Sequence, residues 1–193
     1  MNFKTYYFLL LLLLILTSAT FAQRKEIVAY YAGPYRNYHE NLLKTLDKNG
    51  SADKITIICY AFAFPLPDSS GNIVPKVRPY PAYQQIYSSE MSVDDVPDNP
   101  KQPLRGIFNQ LKKLKARHPN LKMELSVGGW GGSTYFSDLA LTPKSRERFV
   151  DTCIDMYING NLPLKDGAGG IGSAKGVFDG FDTSVCRRKA GGN

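Results

Sequence analysis

Residues 55–64 read Ile-Thr-Ile-Ile-Cys-Tyr-Ala-Phe-Ala-Phe, apolar throughout apart from Thr56. A run this short, rich in β-branched and aromatic side chains, is strand-like. Its unbroken apolarity implies burial on both faces, as in a parallel sheet. Working outward, Ile27–Ala32 reads as an earlier strand ended by Gly33-Pro34, and Leu121–Val127 as a later one ended by Gly128-Gly129. A short helix is expected from Glu40 to Leu46. A longer one runs from Leu104 to Arg117, where Leu104, Ile107, Phe108, Leu111 and Leu114 share a face opposite lysines. Pro143–Ile158 is a third helix. Thr142 caps it, Pro143 takes its first position, and Phe149, Val150, Cys153, Ile154 and Tyr157 form its apolar stripe. Val177–Asp182 begins a fourth strand. Strands alternating with helices indicate an α/β fold, either doubly wound or a barrel.

Two irregular segments interrupt the alternation. Pro65–Pro103 holds eight of the twelve prolines, and Asn159–Lys175 is rich in glycine. Segments this long usually carry function or lack order. The composition, 43% hydrophobic and 21% charged over 193 residues, excludes a disordered chain. Three cysteines are too few for a disulfide scaffold. Cys59 and Cys153 are expected as buried apolar side chains. The net charge of +7 is scattered apart from Arg187-Arg188-Lys189, so a solvated surface is expected and no nucleic-acid partner. His39 and His118 stand alone and are expected at the surface; no metal cluster or cofactor motif is present.

Residues 1–22 have the order of a secretory signal peptide. Lys4 charges the start, Phe8–Leu16 is apolar, and small residues lead to Thr20-Phe21-Ala22. The apolar run falls short of the roughly 20 residues needed to cross a bilayer. The mature chain is expected to start at Gln23, to be secreted (extracellular or periplasmic), and to have no membrane attachment after cleavage.

Two motifs carry chemistry. Leu125-Ser126-Val127-Gly128-Gly129-Trp130 ends the third strand. Its glycines allow a tight exit from the sheet and close approach of a ligand. Trp130 there is either a packed turn residue or an apolar face for a ligand. In Phe178-Asp179-Gly180-Phe181-Asp182 the two carboxylates are three residues apart, so on a strand they face opposite ways. In isolation that motif reads as a turn with capping aspartates.

Taken together and in this order, the motifs resemble the family 18 glycoside hydrolases, the chitinase family, whose members fold as TIM (β/α)8 barrels. The resemblance runs from Glu26 to Asp182. It includes Ala29-Tyr30-Tyr31, Tyr60-Ala61-Phe62, Ser126-Val127-Gly128-Gly129 as the family's Ser-x-Gly-Gly, and Asp179-Gly180-Phe181-Asp182 as the opening of Asp-Gly-x-Asp-x-Asp-x-Glu. It implies a partial barrel of roughly the first four strands over residues 23–182. It implies chitin or N-acetylglucosamine oligosaccharides as the partner; nothing is implied about oligomeric state. Asp179 and Asp182 would be supporting carboxylates, with Ser126 beneath them bonding near Asp179. Tyr30 and Phe62 would flank the pocket, although core packing is the ordinary role for each. Gly128, Gly129 and Trp130 would border the substrate, and Tyr80, Tyr83 and Tyr87 are candidates for stacking on sugars.

The likeness stops after Asp182. Ser184 stands where the family has the aspartate that orients the substrate acetamide, and Cys186 where it has the general-acid glutamate. The family retains configuration by substrate assistance, outside the usual two-carboxylate scheme. A thiol with a pKa of about 8.5 is a poor acid for a glycosidic oxygen. Serine has no charge to stabilise an oxazolinium. Loss of general-acid catalysis costs on the order of 10²–10⁴ in rate. The chain as written is therefore expected to hydrolyse chitin at background level. Residues 183–193 read as an aberrant tail, from a frameshift, an interrupted gene or a sequencing error. A half-barrel with open edges is expected to be poorly soluble. The alternatives are a non-catalytic chitin-binding relative and a chain without function; within the family, an endo-N-acetylglucosaminidase is a further possibility.

Overall fold

The apolar run at 55–64 becomes the central strand. In the computed structural model, which describes Phe3, residues 25–33 and residues 42–184, β1 (Val28–Tyr31) and β2 (Ile57–Pro67) pair in parallel. The expected signal peptide, His39, Cys186 and most of the expected tail lie outside the described residues. β2 also pairs antiparallel with β3 (Ile73–Lys76), and parallel with β4 (Lys122–Gly128). Two short strands, β5 (Leu162–Lys165) and β6 (Ala168–Gly170), form a separate hairpin. The last strand, β7 (Gly180–Ser184), pairs parallel with β4. The four parallel strands thus lie in chain order, β1-β2-β4-β7, and among the described residues the sheet is open.

The helices are α1 (Leu43–Lys48), α2 (Gly106–Arg117), α3 (Phe136–Ala140) and α4 (Pro143–Cys153). One face of the sheet, with Ile58, Tyr60, Met123, Leu125 and Val127, is buried in the core that α2 completes. Phe108 on α2 is the centre of that core. Its ring meets Tyr60 and Phe178 edge-on, with centroids 5.3 and 4.9 Å apart, and Tyr157 at 6.4 Å. This is the arrangement that aromatic quadrupoles favour.

The structure shifts several expectations. The first short helix starts at Leu43 rather than Glu40. The expected helix over 143–158 is α-helical only to Cys153 and ends in a π-helical turn over Ile154–Ile158. The buried stripe is narrower than expected. Phe149, Cys153 and Tyr157 are buried, whereas Val150 and Ile154 are exposed. Thr142 does cap the helix, in a reciprocal box with Ser145 (Ser145 N to Thr142 Oγ1, 3.1 Å). The fourth strand starts at Gly180, because Val177 and Phe178 enter the core before the sheet begins.

The two irregular segments are structured. The first contains β3 and a π-helical turn over Tyr80–Gln84. The second contains the β5–β6 hairpin, which docks on the first: Gln84 Nε2 donates to Asp166 Oδ2 at 2.9 Å, and Gly169 N to Pro103 O at 2.8 Å. Tyr83 and Tyr87, expected on the surface as sugar-stacking candidates, are core residues at 1% exposure; only Tyr80 of the three is exposed. His118 is not a free surface histidine either. It sits between Asp47 and Asp53, at 2.8 and 2.9 Å.

Candidate active site

The register of β4 and β7 places Ser126 beside Asp182. Ser126, fully buried, donates from Oγ to Asp182 Oδ2 at 2.7 Å. Tyr30 on β1 donates its hydroxyl to the same oxygen at 3.0 Å. Among the described residues Asp182 Oδ1 accepts no hydrogen bond. The Tyr30 phenol is pushed above its ordinary value, first by its hydrogen bond to Asp182 and then by burial. Donors to an ionised carboxylate are worth about 1.5–3 kcal/mol each, so this pair fixes the rotamer of Asp182.

Cys59 shares this face, in register with both Tyr30 and Glu124. Its Sγ lies 3.9 Å from Glu124 Oε2. Burial pushes the thiol up to about 11, helped by the charges of Asp182 and Glu124, so it is a neutral thiol there. Sequence reasoning missed Glu124. The signal was present, since a carboxylate inside an otherwise apolar strand is rare without a partner.

Asp179 points the other way. Its Oδ1 pairs with Lys115 of α2 at 2.5 Å, its Oδ2 accepts from Met123 N at 2.9 Å, and its own N donates to Met123 O at 2.7 Å. It ties β4 to α2 and to the entry of β7. The expectation that Ser126 bonds near Asp179 is therefore corrected. Ser126 meets Asp182, because those two share a face and Asp179 lies before the strand on the opposite one.

Gly128 and Gly129, with φ of +105° and +79°, carry the chain out of the sheet. A side chain on Gly128 would come 2.5 Å from Ser184 O and 2.7 Å from the Phe136 ring. Gly129 N donates to Ser184 O at 2.7 Å, tying the ends of the two strands together. Trp130 follows at 91% exposure, so it is not a packed turn residue. Phe62 sits at a bulge where β2 slips register against β4. Such a bulge re-aims a side chain, and the Phe62 ring lies against Gly129. Phe62 lines a cavity with Phe64, Arg78 and Tyr80. Tyr30 does not line that cavity and faces Asp182 instead. Thus Tyr30, Ser126 and Asp182 come together, Gly128, Gly129 and Phe62 border the same end of the sheet, and Asp179 stands apart.

Among the described residues no cluster of His, Cys, Asp or Glu could hold a metal ion, and no helix is long and apolar enough to cross a membrane.

The sequence pattern of the glycosyl hydrolases family 18 matches residues 26–184, which includes every side chain of this constellation. The chain belongs to family 18. It is 44% identical over 121 residues to chitinase C of Streptomyces lividans, and 39% identical over 121 residues to chitinase 63 of Streptomyces plicatus. Each match takes in 63% of this family 18 chain and 18% of the relative. Its fold is similar to the catalytic domain of a psychrophilic chitinase B from Arthrobacter TAD20. The TM-score is 0.74 at 37% identity, over 82% of this chain and 39% of that one. This family 18 chain therefore spans about a fifth of the length of the curated relatives it matches.

Proposed function

We propose that the chain is the first half of a secreted chitinase-type catalytic barrel, with residues 1–22 as signal peptide, the half-barrel running from residue 23 past the expected boundary at 182 to the end of β7 at Ser184, and the residues after it as an unrelated tail. Its ligand is chitin or a β-1,4-linked N-acetylglucosamine oligosaccharide. The observation that carries this reading is the convergence of Tyr30 and Ser126 on one oxygen of Asp182. They hold a carboxylate at the carboxyl end of the sheet, where barrels of this kind place their sites. The other oxygen is left to meet a donor on the ligand. Asp182 orients and supports charge; Asp179 positions the strand.

Hydrolysis needs a proton delivered to the glycosidic oxygen, and the chain has Ser184 and Cys186 where the family has carboxyl groups. Neither Cys59, a neutral thiol with its pKa near 11, nor Glu124, lower on the strand, stands at that position. The reading is therefore binding without turnover. The test incubates the purified chain with N-acetylglucosamine oligomers and follows both product release and retention on chitin beads. Retention with product at the uncatalysed rate is expected. Product release at a chitinase-like rate would show that an acid exists elsewhere in the chain. Failure to be retained would remove the binding reading. Mass analysis of the exported chain checks the predicted start at Gln23.

A further inference from the structure

The dipeptide Asn-Gly occurs twice in the chain, at Asn49-Gly50 and at Asn159-Gly160. It is a labile setting for a side-chain amide, because glycine puts no Cβ in the way of its own nitrogen. Attack of that nitrogen on the asparagine Cγ closes a succinimide ring. Closure needs the asparagine ψ to leave the helical range and swing the next peptide. Both asparagines start from the same place. Each follows a helical turn, with ψ of 3° at Asn49 and −19° at Asn159, and both residues are exposed. The surroundings of the two glycines differ.

Gly50 sits in an open turn between α1 and β2. A Cβ built on it would meet nothing within 4 Å. Its N donates to Asp47 O at 3.3 Å, a long and weak bond. The Asn49 carboxamide is folded forward beside the Gly50 peptide, since its Oδ1 accepts from Ser51 N at 3.0 Å. The donor in that Asx turn draws charge from the carbonyl, which makes Cγ a better electrophile. Gly160 is buried and pinned instead. Its O accepts from Leu162 N at 3.0 Å, Ala174 N at 3.1 Å and Ser173 Oγ at 3.3 Å. The backbone of Ala174 and Lys175 occupies the space that a Cβ would need. Swinging this peptide would break those bonds.

We propose that Asn49 is a self-modification site: in the folded chain Gly50 N displaces its side-chain amide, while Asn159 keeps its own. The step balances with water alone as co-reactant. The bond from Gly50 N to Asn49 Cγ forms, the Gly50 amide proton goes to solvent, and the carboxamide nitrogen leaves as ammonia. One water then opens the succinimide at either carbonyl. Opening at Cγ restores the ordinary backbone and leaves aspartate. Opening at the main-chain carbonyl leaves an isoaspartyl link through the side chain. Either product adds a carboxylate to the surface cavity where Lys44 and Lys48 already face Asp95. Isoaspartate also lengthens the backbone ahead of Ala52, whose burial and bond to Leu46 O at 3.0 Å fix the turn. The isoaspartyl form therefore loosens the joint between α1 and β2 as the chain ages. The modification involves none of the residues gathered at Asp182, and it stands whether or not the chain binds a sugar.

The test holds the full chain in heavy-oxygen water at about pH 8, inside the range over which its packing is expected to hold, and samples it over time. Peptide mass mapping reads the label gained at each asparagine, and chromatography separates aspartyl from isoaspartyl peptides. In the folded chain Asn49 should convert about tenfold faster than Asn159 or more, since the pinned site reacts only after local opening. In denaturant the two should convert at similar rates, because the dipeptide is the same. Both aspartyl and isoaspartyl peptides should appear at position 49, as the ring requires, and the rate should rise with pH. Asn49→Gln should abolish the change there. Gly50→Ala should slow it severalfold, even though alanine at a φ of +73° strains the turn. Ageing should lower the melting temperature of the unaltered chain and leave that of Asn49→Gln level. Equal rates at the two sites in the folded chain, aspartate without isoaspartate at position 49, or a Gly50→Ala chain that reacts as fast as the unaltered one would each overturn the proposal.

Discussion

Single side chains decide how the carboxyl end of the sheet is built. Gly128 has no room for a Cβ, with Ser184 O on one side and the Phe136 ring on the other, and its φ of +105° strains any L side chain. Gly128→Ala should cost about 3 kcal/mol, from the backbone strain and the overpacking together. The midpoint of chemical denaturation reads this, and an unchanged midpoint would mean that the turn relaxes freely. Asp98 is the matching case beneath the surface. Its buried carboxylate accepts from Tyr87 N at 3.1 Å, Gly106 N at 3.2 Å and Asn109 Nδ2 at 2.7 Å. Asp98→Ala would leave buried donors unpaired at the start of α2 and should cost about 3 kcal/mol or more. Asp98→Asn should cost less, because the amide keeps an acceptor. At this scale the sequence was legible where chemistry repeats a pattern: Asp182, Ser126 and the paired glycines are visible in their motifs. Asp98 was not, because its partners Tyr87, Gly106 and Asn109 meet it only when the irregular segment folds back against the start of α2.

Elements were legible to the extent that their signals are local. Thr142, Pro143 and the following apolar spacing announce α4, and the cap forms as read. Thr142→Ala should therefore lower stability by about 1 kcal/mol. A loss of helical circular dichroism well beyond one turn would show instead that the cap nucleates the whole helix. The π-helical turn after Cys153 carries no such signal. It follows from tertiary packing, which draws Tyr157 under Phe108 and Phe178 with its hydroxyl donated to Pro75 O at 3.1 Å. The same physics hid the two hairpins. β3 pairs with an extension of β2 beyond the apolar run, and β5–β6 rests on side chains some 80 positions earlier, such as Gln84. Proline and glycine marked the turns of these segments and concealed the short ladders between them. Tyr83 and Tyr87 were misplaced for that reason: a segment read as surface loop is folded against the core.

Across the whole molecule, charge sets the pH range over which this packing holds. Burial works to raise the Asp47 carboxyl, but hydrogen bonds from His118 and Arg117 outweigh it and hold the group below its ordinary 3.8. Asp94 behaves alike, with Lys113 and Ser92 overcoming burial. Both tie α2 to its neighbours, Asp47 to α1 and Asp94 to the loop before α2. A carboxylate with a depressed folded pKa is protonated first in the unfolded chain. Its contribution is complete above about pH 4 and is lost as pH falls through the folded value. The thiols set the other limit. Burial pushes Cys59 up to about 11 and Cys153 up to about 12, from an ordinary 9.0. An acid raised on folding stabilises below its unfolded pKa, so this contribution is whole up to about pH 9 and is lost as pH rises toward the folded values. Thermal unfolding of the full chain should show a plateau between these limits and a fall on each side. Asp47→Asn should flatten the acid limb, and Cys153→Ala, whatever it costs on the plateau, should flatten the alkaline one. A melting temperature that stays level through pH 3 in the unaltered chain would mean that neither aspartate is held as the geometry implies.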